Sequence, residues 1–68
     1  MKISARNQLK GAVSAVTNGA VNGVVAIDIG GSTVKADITM EAIKDLGLAE
    51  GAEVLAVVKS TDVIVGVE

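Results

Sequence analysis

Sixty-eight residues with no Cys, no His and no aromatic side chain leave few means of holding a fold together or of running chemistry. A chain of this length buries only about 60% of the surface its unfolded form exposes; with disulfides and the usual zinc ligands both missing, self-association is the remaining reinforcement. The net charge of −2, from six cationic and eight acidic residues scattered without a block of one sign, offers no field for a polyanion.

In chain order, Ile3 to Val16 is a β-permissive run. It ends at Asn18-Gly19, a dipeptide suited to the positive φ angles of a tight hairpin turn. In the following run Val21, Gly23, Val25, Ile27 and Ile29 share one strand face, and Val24, Ala26 and Asp28 share the other. Gly30-Gly31 supplies a second turn. Thr33 to Thr39 alternates most cleanly, with Val34, Ala36 and Ile38 inward and Thr33, Lys35, Asp37 and Thr39 outward.

The period then changes. Met40, Ile43 and Leu46 recur at helical spacing, Thr39 is suited to cap the start, Glu41 favours the first turn, and Gly47 is suited to end the helix in the left-handed conformation. Glu50-Gly51 gives a further turn. Val54 to Val58 is an unbroken apolar run, too short for a typical helix and read as a buried strand. Asp62 to Val67 is read as a last strand. Three strands, a short helix and two more strands predict a mainly β chain, residues 1–68 forming one domain of the partly open five-stranded barrel type, the OB-fold, with its helix between strands 3 and 4.

Many OB-folds bind oligonucleotides or sugars, but single-strand binding depends on aromatic platforms along a basic groove, and this chain has neither; the lack of aromatics also counts against a carbohydrate site. Fold analogy therefore supplies no function. Catalysis is disfavoured as well, because without His or Cys only scattered carboxylates and lysines remain as acid/base groups. Gly30-Gly31-Ser32-Thr33 lacks the following Lys and the strand-to-helix setting of a phosphate loop, so it is read as a hairpin. The apolar runs are shorter than a membrane span, and Met1-Lys2 leads into polar sequence, so the expected setting is the cytoplasm without membrane contact.

What stands out is a pair of polar clusters near the two ends, Ser4-Ala5-Arg6-Asn7-Gln8 and Lys59-Ser60-Thr61. They concentrate cationic, hydroxyl and amide donors, which is the chemistry of anion capture. The runs Met1 to Gly11 and Val57 to Val63 that contain them, with Ala36-Asp37-Ile38-Thr39 and Leu46-Gly47-Leu48 between, resemble the small bacterial molybdate-binding proteins called molbindins over essentially the whole chain. The resemblance implies binding of molybdate or tungstate for intracellular molybdenum storage, with no catalytic cofactor. It implies oxyanion contacts from Ser4, Arg6, Thr39, Lys59 and Ser60, with backbone help near Ala5. It also implies homohexamers built as trimers of dimers, with oxyanion sites at subunit interfaces.

Each of these residues has a plainer explanation. Arg6 suits a surface cation, Lys59 a solvated lysine that blocks aggregation at a strand end, Ser4 and Ser60 local turn bonds, and Thr39 a helix cap. An alternative function follows from those explanations: a structural or protein-interaction module of the same fold without bound oxyanion.

Overall fold

The computed structural model describes residues 1–68 as one antiparallel sheet with a short helix. Its strands are β1 (Asn7–Thr17), β2 (Asn22–Asp28), β3 (Thr33–Thr39) and β4 (Glu53–Val58), and α1 (Met40–Asp45) lies between β3 and β4. The sheet order is β3-β2-β1-β4. β1 is shared: Asn7 to Ala12 pairs with β4, Ala12 to Thr17 with β2. A bulge between Val13 and Ala15 breaks the β1–β2 register, and such an extra residue bends and twists a strand, so the sheet curls into a half-barrel. Neither outer strand pairs with the other, and the edges of β3 and β4 stay open.

The core follows the alternation of β2. Gly23, Val25 and Ile27 are buried while Asn22 and Asp28 are exposed, and Val25, fully enclosed, packs in a cluster with Val13, Ile27, Ile43 and Ala56. β3 alternates as its sequence predicts, with Val34, Ala36 and Ile38 half-buried between exposed polar neighbours. The second hairpin is a turn with Gly30 and Gly31 at φ 89° and 92°, a region in which a side chain is strained. It is closed by the Ile29 N–H on the Ser32 carbonyl at 3.0 Å and by the Gly30 N–H on Asp28 Oδ1 at 2.9 Å.

Helix α1 has both expected ends. Thr39 Oγ1 accepts from the Ala42 N–H at 3.1 Å, and Glu41 and Lys44 sit in the turns where the helix dipole favours their charges. At the other end Gly47 adopts φ 64°, the Leu48 N–H reaches the Ile43 carbonyl at 3.0 Å and the Gly47 N–H the Lys44 carbonyl at 3.1 Å; this is a Schellman closure. Ile43 is the helix residue driven into the sheet. Leu46, expected on the same stripe, lies beyond the helix and is exposed.

Five expectations are corrected. Asp62 to Val67 is not a strand: Ser60–Asp62 forms a 3-10 turn and the residues after it pair with nothing. The chain therefore has four strands, and its own sheet does not close into the five-stranded OB barrel. The first hairpin exists, but neither Asn18 nor Gly19 has a positive φ, and the chain needs Asn18 to Val21 to cross between strands. β4 is an edge, with Ala56 its one buried residue and Leu55 exposed, instead of a buried strand. β1 also pairs only from Asn7, leaving Ile3 to Arg6 ahead of the ladder.

Candidate functional site

Two of the predicted groups come together. The β1–β4 ladder ends with Asn7 opposite Val58, so Arg6 and Lys59 are each the next residue beyond the same rung, and Ser4, Ala5 and Ser60 follow within two further steps. Antiparallel pairing thus collects two cations and two hydroxyls at one end of the sheet from positions more than fifty residues apart in sequence. The segment before β1 is anchored there. Ala5 is buried, and its carbonyl accepts from Gln8 Nε2 at 3.1 Å, which turns Ser4 and Arg6 outward on either side of a fixed point. On the other strand the Lys59 carbonyl accepts the Asp62 N–H at 2.9 Å, folding Ser60, Thr61 and Asp62 into the 3-10 turn.

The donors at this end are unspent. Side-chain hydrogen bonds within the chain run through Gln8, Ser14, Asn22, Asp28 and Thr39, and none engages Ser4, Arg6, Lys59 or Ser60. All four are exposed. Asp62, in the same turn, is also exposed, which leaves its carboxylate in water where its repulsion of an anion is screened.

Thr39 stands apart. It pairs with Asn22 at the last rung of the β2–β3 ladder, beside the Thr17 end of β1, whereas Arg6 precedes the Asn7 end of that 11-residue strand. Its Oγ1 is occupied as an acceptor by the helix cap, but a hydroxyl keeps its proton for a second partner. Capping and donation to an oxyanion are therefore compatible at Thr39. A single chain nonetheless does not bring it to the Arg6 and Lys59 cluster.

The two concavities of the surface lie elsewhere. A shallow one flanks α1 between Met40 and Ala49. A larger one, about 1340 Å³, is the trough of the half-barrel, lined mainly by apolar residues of β2, β3 and β4. Neither includes Ser4, Ala5, Arg6, Thr39, Lys59 or Ser60, and no group of His, Cys, Asp and Glu is placed to hold a metal ion. The arrangement is a cluster of exposed hydrogen-bond donors without side-chain partners in the chain.

A chain with this sheet and donor set has clear relatives. The pattern of the TOBE domain matches residues 3–65. The chain belongs to the TOBE-domain family. It is 54% identical, over the full length of both chains, to a probable molybdenum-pterin-binding protein of Haemophilus influenzae. It is 53% identical to molybdenum-pterin-binding protein 3 of Clostridium pasteurianum, over 96% of this chain and 97% of that one. Among solved structures, MopII from Clostridium pasteurianum superposes with a TM-score of 0.90 at 46% identity, covering 97% of this chain and 100% of that one. This TOBE domain thus shares both its sequence and its curled sheet with the Mop proteins, as the molbindin resemblance implied. The cytoplasmic molybdate-binding protein ModG, in a form with molybdate bound, matches all of this chain with 49% of its own length, at a TM-score of 0.93 and 40% identity.

Proposed function

We propose that residues 1–68 act as a single non-catalytic domain that binds molybdate, and tungstate comparably, at interfaces between copies of the chain, as a cytoplasmic store of molybdenum. The observation that carries the reading is the gathering of Arg6 and Lys59, with Ser4 and Ser60, beyond one rung of the β1–β4 ladder. Molybdate is a tetrahedral dianion whose oxygens only accept hydrogen bonds, so its site must be built from donors. Backbone N–H groups near Ala5 and Ser60 add to the side chains, since irregular backbone at strand ends points amides into a concavity. The relatives named above for molybdenum-pterin or molybdate binding support the choice of ion.

Magnitudes favour an interface. Micromolar affinity corresponds to about −8 kcal/mol, and a charge-assisted hydrogen bond nets roughly 1.5–3 kcal/mol before the costs of association. About five converging donors are then needed. The cluster of one chain lies at an exposed end of its sheet and meets an ion from one side, and the far placement of Thr39 favours its contributing from a second copy. A homohexamer arranged as a trimer of dimers accommodates this. No helix is long and apolar enough to cross a membrane, and the absence of aromatic platforms argues against nucleic acid.

Native mass spectrometry of the purified chain with molybdate, and separately with excess sulfate, tests the reading. An oligomer that retains several molybdates against sulfate is the expected result. An oligomer that takes up no molybdate would favour the structural or interaction module, and an anion-free monomer would remove both the site and the assembly.

A further inference from the structure

We propose that Asn18 is a self-modifying position: its side-chain amide is lost to attack by the backbone nitrogen of Gly19, leaving a carboxylate or an isoaspartyl linkage in the β1–β2 connection. This modification is independent of the proposed function.

The chain has three asparagines, Asn7, Asn18 and Asn22, and the last two are each followed by glycine. Glycine has no Cβ to block the approach of the preceding side chain and leaves the backbone free to turn, so ring closure between neighbours is least hindered at an Asn-Gly pair. The two pairs differ in their surroundings. Asn18 and Gly19 are exposed in the connection between β1 and β2. The Gly19 N–H donates to no acceptor, and the Asn18 amide has no partner either.

Asn22 and Gly23 are tied down. Asn22 Nδ2 donates to Asp37 Oδ1 at 3.0 Å, the two residues pair with Thr39 and Ile38 across the β2–β3 ladder, and Gly23 is buried. Ring closure there first requires the ladder to open, whereas at Asn18 motion of an exposed loop is enough. The fold also keeps the reactive pair in place. A Cβ on Gly19 would collide with the carbonyl oxygen of Asn22, so the reversal that joins the strands holds the residue after Asn18 to glycine.

The chemistry balances with water as the only co-reactant. The Gly19 nitrogen loses its proton to solvent base and bonds to Asn18 Cγ; the Cγ–Nδ2 bond breaks and ammonia leaves, closing a succinimide. Water then opens the ring at either carbonyl, giving aspartate or, with the chain rerouted through Cγ, isoaspartate. In sum an amide and water become an acid and ammonia, and nothing is oxidised or reduced. Each event adds one negative charge to the net −2 of the chain. The new carboxylate follows the Thr17 end of β1, the end of the sheet remote from Arg6 and Lys59.

Incubation of the full chain at mildly alkaline pH, without oxyanion, followed by tryptic mapping tests this. Both asparagines fall in the one peptide between Lys10 and Lys35, so fragment masses assign the site. Conversion at Asn18 is expected to be at least about tenfold faster than at Asn22, with an isoaspartyl fraction that accepts a methyl group from isoaspartate methyltransferase. Asn18→Gln, at an exposed position, is expected to keep the circular dichroism spectrum and to lose the acidic species that accumulates in isoelectric focusing, because its longer side chain closes a ring far less readily. No conversion at Asn18, or equal rates at Asn18 and Asn22 in the folded chain, overturns the inference. In urea the ladder is gone and the Asn22 rate is expected to rise to that of Asn18; a difference that persists there would place the selectivity in local sequence and overturn it as well.

Discussion

Arg6 and Lys59 lie one residue beyond the same rung, Asn7 opposite Val58, on two neighbouring strands. Two cations brought side by side repel each other, and no carboxylate of the chain bridges them by a side-chain hydrogen bond. An arrangement of this kind gains stability when an anion sits between the two charges, so under the proposed function the oxyanion would hold the end of the sheet as well as being held by it.

Removing one of those charges gives the first prediction. Arg6→Ala weakens molybdate binding by about 10- to 100-fold, the equivalent of one charge-assisted hydrogen bond of roughly 1.5–3 kcal/mol, and leaves the urea midpoint without ligand nearly unchanged because Arg6 is exposed. Titration calorimetry checks it; unaltered affinity takes Arg6 out of the site.

Thr39 caps α1 and under the proposed function also donates to the ion; substitutions separate the two tasks. Thr39→Asp keeps a side-chain acceptor for the Ala42 N–H but has no proton to give and adds a negative charge. The variant is expected to unfold at about the wild-type urea concentration and to lose molybdate binding. Thr39→Ala loses the cap too, at about 1 kcal/mol. Equal molybdate affinity in Thr39→Asp and wild type would confine the residue to capping.

Packing between α1 and β2 makes a third prediction. A Cβ on Gly23 would stand 2.7 Å from Ile43 Cδ1, 2.8 Å from Met40 Sδ and 2.9 Å from the Thr17 carbonyl oxygen. Gly23→Ala is therefore destabilising by roughly 1–3 kcal/mol through overpacking. Trimming the partner with Ile43→Val recovers part of that loss, so the two changes are non-additive in a double-mutant cycle. Strict additivity in urea unfolding would mean that the helix does not press on Gly23.

The anion's contribution to stability is the fourth. Molybdate that binds only the folded assembly raises the thermal midpoint with concentration, adding about 2.7 kcal/mol at one hundred times the dissociation constant. Sulfate, with the same charge and a smaller radius, raises it less at equal concentration. Differential scanning calorimetry with each anion checks this; matching shifts would show a site that senses charge and not size.

Much of the fold can be read from local pattern. The alternation of Thr33 to Thr39 and the cap residues Thr39 and Gly47 specify conformations that depend on near neighbours, and β3 and α1 form accordingly. Val63 to Val67 shows the limit. Its alternation encodes an extended chain but not an edge to pair with, because a strand is completed by residues remote in sequence or on another molecule. The exposure of Leu55 has the same origin, since a run of apolar residues does not say which strand will cover it. At the site, residue types pointed to anion chemistry, while the juxtaposition of Arg6 with Lys59 depends on the β1–β4 register, which no local signal carries. The separation of Thr39 from them was equally hidden until the sheet order was known.

That separation bears on how such a store would empty. If complementary halves of each pocket sit at opposite ends of every copy, occupancy depends on the protein's own concentration as well as on the ion's. Dilution that parts the copies then discharges the cargo without any hinge or gate, and the rate of subunit departure sets the rate of delivery.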